Sequence, residues 1–276
     1  MIDRHAYLIV AHERAEALAK LLAELDDERN DIFVHIDRKA SFDGRELRCR
    51  KSRLTVLPER IDGRWGDYSL VAIEFALLRA ATVSGRYAYY HLLSGVDMPV
   101  KSQDEIHEEC SRLTGTEFIA IAQNAKPGET AWRSQHRFLF SKHFQSRNPL
   151  IKALRRGWAI AQSTVGYRRY RGEVVKGSQW WSITDAFARY ALTREAEMER
   201  YFKGTYCPDE MVFQTICRES EFWGRLYDTT DEFRGNRRWI RWENGQLMPL
   251  TPAMIAEARH SDRWFARKRP TENVIL

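Results

Sequence analysis

The stretch YLIVAHERAEALAKLLAELDDERNDIFVHID, running from Tyr7 to Asp37, decides the fold of this chain. Tyr7–Val10 is a short apolar run, the pattern of a strand buried on both faces. Arg14–Leu25 follows, with Ala17, Leu18, Leu21, Leu22 and Leu25 at helical spacing, and Ile32-Phe-Val-His-Ile36 is strand-like again. Working outward, Thr55-Val-Leu57 reads as a third strand, Ser69–Ala81 as an apolar helix and Ala88–Leu93 as a strand. Ser102-Gln-Asp-Glu105 is a capping box that opens a helix through Ser111, and Glu117–Ile121 is one more strand. This alternation predicts an α/β fold with a mainly parallel central sheet flanked by helices. From Gln123 to Lys176 the pattern gives way to a polar, basic stretch with scattered aromatics, and so long an irregular segment is usually functional. Regularity returns with the strand Gln179–Ile183, a helix capped by Thr184, a helix starting at Pro208, a strand Arg238–Trp242 and a helix capped by Thr251. No repeat, linker or domain boundary is visible.

At 276 residues, with 43% apolar and 12% aromatic residues, the chain can bury a sizeable core. No run approaches the roughly 18 apolar residues of a membrane span, and the first apolar run is short for a signal peptide. The expectation is a soluble, untargeted protein. Cys49, Cys110, Cys207 and Cys217 are scattered without a Cys-x-x-Cys pair, which argues against a disulfide framework or thiolate metal site and for a reducing compartment. A net charge of +6 comes with clusters at Arg155-Arg156, Arg168–Arg171, Arg237-Arg238 and Arg267–Arg269. Such a balance suggests an anionic partner: phosphate, acidic glycan, membrane surface or nucleic acid.

The chain lacks Gly-x-Gly-x-x-Gly, the P-loop, His-Glu-x-x-His, Gly-x-Ser-x-Gly and Asp-x-Asp. What it has is Tyr206-Cys-Pro-Asp-Glu210 before the apolar run Met-Val-Phe-Gln-Thr-Ile. Pro208 suits a first helical position, so Asp209 and Glu210 fall in the first turn, where the helix dipole favours anions. Simple end-capping explains that pair, and so does a catalytic base. Two strands end on polar residues, Val10-Ala11-His12 and Phe33–Asp37, and ligands of open α/β sheets bind beyond such ends. Asp97, in the turn Ser94–Lys101, either orients a sugar hydroxyl or holds its loop. Trp180 and Trp181 point to opposite faces of their strand, so one packs in the core while the other can line a cleft. His107-Glu108-Glu109 reads as solvated helix surface.

These segments resemble the core-2/I-branching N-acetylglucosaminyltransferase and peptide O-xylosyltransferase family, glycosyltransferase family 14. The matching stretches are Tyr7–His12, Phe33–Lys39, Trp65–Val71, His91–Lys101, Gly177–Trp181, Cys207–Thr215 and Phe265–Lys268, in the family's order. Residues 123–175 have no match. The resemblance implies a single GT-A-like domain over 1–276, with 1–122 as the nucleotide-binding half and 123–276 as the acceptor and catalytic half. It implies an inverting, metal-independent transferase that moves a sugar, GlcNAc or xylose foremost, from a UDP-sugar to a glycan or lipid-linked saccharide hydroxyl. Glu210 would be the catalytic base and Lys268 the diphosphate contact, with Arg267 beside it and Arg238, or Arg241, as a second cation. Val10, His12, Asp37 and Trp65 would surround the nucleotide, with Asp97, Trp180, Trp181 and Asp209 toward the sugar or acceptor. Cys207 replaces the family's usual Ser, and Arg269-Pro270 its usual Phe-Asp.

The cysteines, anchor and stem of secreted animal members are missing. The resemblance therefore points to a bacterial-type, cytoplasmic enzyme, with peripheral contact at the inner membrane left open. No cofactor and no metal are expected. The alternatives are a basic nucleic-acid-binding protein, against which stands the lack of any recognisable module, and a non-catalytic glycan-binding domain.

Overall fold

The computed structural model describes residues 4–270 apart from 124, 125, 127, 244 and 245. The ends of the expected 1–276 span lie outside the described residues. At the centre is β1 (His5–Ala11), buried along its whole length. Ala6, Leu8 and Val10 enter one apolar cluster, while Tyr7, Ile9 and Ala11 enter a second on the opposite face of the sheet. That two-sided burial is why the segment reads as continuously apolar. Helix α1 (Ala15–Leu25) carries the chain to β2 (Asn30–Ile36), then come β3 (Arg53–Val56), α2 (Ser69–Ser84) and β4 (Tyr89–Ser94). These four strands are all parallel, in the order β3-β2-β1-β4.

Next are β5 (Met98–Pro99), α3 (Gln103–Arg112), β6 (Phe118–Ile119), α4 (Glu129–Gln135), α5 (Pro149–Thr164) and β7 (Trp181–Thr184). β7 joins β4 antiparallel and β6 joins β7 antiparallel, completing a six-stranded sheet that is mostly parallel. The chain continues through α6 (Asp185–Thr193), α7 (Glu195–Phe202), α8 (Val212–Arg218), α9 (Glu232–Gly235), β8 (Arg238–Ile240), β9 (Trp242–Glu243), β10 (Gln246–Leu247), α10 (Pro252–His260) and β11 (Phe265–Arg267). β11 is the middle strand of a small sheet, β5-β11-β8, which buries Met98, Leu250, Ala258 and Ala266 around it. The architecture is the expected mixed α/β domain, its central sheet flanked by helices.

Three local readings need correction. The stretch expected to be irregular contains α4 and α5; Asn148 caps the latter by accepting from Leu150 N at 2.9 Å, and Pro149 occupies its first position. Pro208–Glu210 forms a single 3₁₀ turn, and α8 begins only at Val212. His107 is buried, hydrogen-bonded to Asn30 at 2.9 Å and stacked on His5, and Glu109 pairs with the buried Arg237. That face of α3 is therefore packed. Among the described residues, no helix is long and apolar enough to cross a membrane.

Candidate active site

The 3₁₀ turn puts Glu210 on the wall of a cavity of about 550 Å³. Asp209, Trp65, Trp180, Lys176, Gln179, Glu232, Trp242 and Arg267 line it as well. Distant segments meet here for identifiable reasons. Cys207, at φ 49°, is one of few non-glycine residues with a left-handed backbone, and it turns the chain into the Pro208–Glu210 turn. Its N–H donates to Gly66 O at 2.9 Å, and Trp65 packs edge-on to Tyr206 with ring centres 5.6 Å apart. Gly177 N–H donates to Glu210 O at 2.8 Å. A side chain at Gly177 would stand 1.8 Å from Ala120 O, so only glycine allows this approach.

Arg133 Nη2 donates to Glu210 Oε2 at 2.7 Å and to Cys207 O at 3.2 Å. Oε1 of Glu210 makes no hydrogen bond among the described residues, and the side chain is 36% exposed. Arg133 is itself buried and also pairs with Glu129, which Lys176 holds at 2.8 Å. Glu210 is thus a fixed carboxylate with one oxygen oriented by a guanidinium and the other free for a proton-bearing ligand. Asp209 is buried beneath it. Burial, then the adjacent Glu210 charge, pushes the Asp209 carboxyl up to about 7. Glu74 of α2 is completely buried, and burial, then Asp209, raises its carboxyl well above the usual range; Gln179 donates to it at 2.8 Å.

Arg267 reaches the cavity from β11. Its guanidinium lies over the Trp180 ring, 4.2 Å from the ring centre, and faces Asp97 at 3.4 Å. Lys268 does not line the cavity. Its ammonium lies 3.5 Å from Glu13, which also stands 3.7 Å from His12. Lys268 and the exposed His12 therefore share one carboxylate at the end of β1, while the adjacent Arg267 serves the cavity with Glu210. Val10 is buried, its carbonyl accepting from Gly95 N.

Four expectations are corrected by placement. Arg238 is completely buried, donates to the carbonyls of Leu92, Trp181 and Asn236, and stacks on Phe265; burial lowers its pKa to about 9. It cannot reach a bound diphosphate, and Arg241 is engaged at the surface with Glu243. Trp181 lies wholly in the core, whereas Trp180 takes the cavity face. Asp97 is buried, accepts from Ser94 N at 2.9 Å and faces Arg267, so it holds its turn and does not present its carboxylate to the cavity. Asp37 is also buried, accepting from Lys39 N and Gly63 N at 2.8 Å, and it fixes the loop after β2. Arg133 and Lys176 lie outside every matched motif; the Glu129–Arg133 spacing, one helical turn, was the available signal for the former. A second cleft of about 900 Å³, between α1 and residues 40–47, contains none of the expected site residues.

The Core-2/I-Branching enzyme family profile matches residues 5–263. The chain belongs to that family. Similar proteins include xylosyltransferase 2 of Rattus norvegicus, 24% identical over 240 residues, which cover 82% of this chain and 26% of the relative. The beta-1,3-galactosyl-O-glycosyl-glycoprotein beta-1,6-N-acetylglucosaminyltransferase of Homo sapiens is 22% identical over 250 residues, covering 86% of this chain and 55% of the relative. The chain thus spans about a quarter to about half the length of these two relatives. Both are glycosyltransferases by name.

Proposed function

We propose that this Core-2/I-branching family member transfers a sugar from a UDP-sugar to an acceptor hydroxyl, with inversion and without a metal ion. One observation carries the reading: Glu210 and Arg267 line a single cavity together with Trp65 and Trp180, and the exposed Trp65 offers an aromatic face for a sugar ring. The acceptor oxygen bonds to the anomeric carbon as the bond from that carbon to the diphosphate oxygen breaks. The acceptor proton passes to Oε1 of Glu210, whose other oxygen Arg133 holds. Such general-base help is worth roughly 10²–10⁴-fold. The departing diphosphate gains negative charge, which the fixed guanidinium of Arg267 on the cavity wall stabilises. Xylose and GlcNAc are the donors to try first, since the relatives are named for transferring them.

The test is turnover of UDP-xylose and UDP-GlcNAc by the protein and by Glu210→Gln, with and without EDTA. We expect turnover to survive EDTA, and Glu210→Gln to lose it by two to four orders of magnitude while still binding UDP. Near-normal turnover in Glu210→Gln removes the base assignment. Complete loss in EDTA, restored by Mn²⁺, removes the cationic stabilisation.

A further inference from the structure

Helix α5 lies on the surface with its polarity inverted. A surface helix ordinarily turns its apolar face to the core. Here the inward face is polar or small. Ala159 and Gln162 are its buried residues, and Gln162 both accepts from Arg137 N at 2.9 Å and donates to Arg137 O at 3.0 Å. Outward stand Leu150, Leu154 and Trp158, spaced four apart along one face, with Val165 just past the helix end; they are 45–79% exposed. Cations border this apolar face. Between Glu129 and Glu173 the chain has ten Lys and Arg and no Asp or Glu, against a net +6 for the whole chain. Lys142, Arg147, Lys152, Arg156, Arg168 and Arg171 are exposed. None of the six makes an ion pair with a carboxylate among the described residues.

We infer that α5 docks the protein on an anionic lipid bilayer, lying in the plane of the headgroups. Such a surface takes both halves of the pattern at once. Leu and Trp enter the boundary of the acyl region, and flanking Lys and Arg meet anionic headgroups. A nucleic acid would use the cations but leave the leucines in water. A symmetric contact with a second copy would bury the leucines but press cation against cation, with no acid in the segment to offset it. The helix spans 16 residues and carries three charges of its own, so it lies on a membrane instead of crossing one.

The experiment is co-sedimentation of the full chain with vesicles of phosphatidylcholine, with and without phosphatidylglycerol, over a salt series. We expect binding only when phosphatidylglycerol is present, weakening as salt rises. Leu150→Glu/Leu154→Glu and Lys152→Glu/Arg156→Glu should each lower vesicle affinity roughly tenfold or more. All four side chains are exposed, so unchanged thermal unfolding separates lost docking from lost folding. Equal binding to both vesicle types, or none, overturns the inference. So does a dimer in solution that Leu150→Glu/Leu154→Glu converts to monomer, and so does displacement from vesicles by duplex DNA.

Discussion

At the scale of single residues, the acidic step beneath the cavity behaves as two different groups. Glu210 has Arg133 as its counter-ion, while Asp209, next to it in sequence, is buried with Oδ1 unpartnered. The sequence placed both carboxylates together, but it did not distinguish them, because burial and Arg133 come from other parts of the chain. The difference has a measurable consequence. A carboxyl whose folded pKa lies near 7, against about 3.8 unfolded, binds more protons in the native state between those values. Stability contributed by the protonated form is present below about pH 4 and falls as pH rises toward 7, by on the order of a few kcal/mol at most. Asp209→Asn removes that titration. Its unfolding midpoint should match the parent's near pH 4 and exceed it increasingly toward pH 8, measured by thermal unfolding at stepped pH. A difference that stays constant across the range assigns the slope to another group.

Among elements, legibility follows burial. β1, β2 and β4 could be read because both faces are covered and no polar residue interrupts the run for long. β6 has two residues and β7 four, and their antiparallel pairing depends on partners far along the chain, so sequence alone gave no orientation. α5 escaped because its apolar residues face solvent, and a basic stretch with scattered aromatics looks irregular when no core face is sought. The turn from Lys176 to Ser178 was visible as a motif, yet its reason is steric. Gly177→Ala would drive a methyl group to 1.8 Å from the Ala120 carbonyl oxygen, which is backbone and cannot rotate away. We expect a loss of about 1–3 kcal/mol or more in urea unfolding, together with reduced turnover as the Gly177–Glu210 hydrogen bond moves. Gly157, mid-α5 with nothing within 4 Å, is the contrast: alanine there should stabilise by about 0.5–1 kcal/mol. Parent-like stability in Gly177→Ala would show that the segment from 176 to 178 relaxes freely.

For the whole molecule, the question is how the small sheet that delivers Arg267 stays docked on the large one. Charge clustering suggested that Arg237-Arg238 meets an anionic partner, but both side chains are buried and turned inward. Arg237 has a left-handed backbone, φ 59°, just before β8. Its guanidinium pairs with Glu109 of α3 and with Asp262 at 2.9 Å, and lies 4.1 Å from the Tyr227 ring centre. Trp264, just before β11, donates to the same Glu109 at 2.6 Å. One carboxylate on a helix of the large sheet thus holds both outer approaches to the small one. Glu109→Ala leaves Arg237 with the more exposed Asp262 alone and strands the Trp264 N–H. Breaking a buried pair from one side costs about 3–5 kcal/mol, which for a chain of this size lowers the unfolding midpoint by on the order of 10 °C. Replacing both partners, Glu109→Leu with Arg237→Met, should recover much of that loss, since no unpaired charge then remains buried. Calorimetry of the parent, the single and the double variant decides it. A single variant that melts with the parent would mean Asp262 and the aromatic cage suffice, and that the two sheets are held together by packing around Trp264 and Phe265 without the carboxylate.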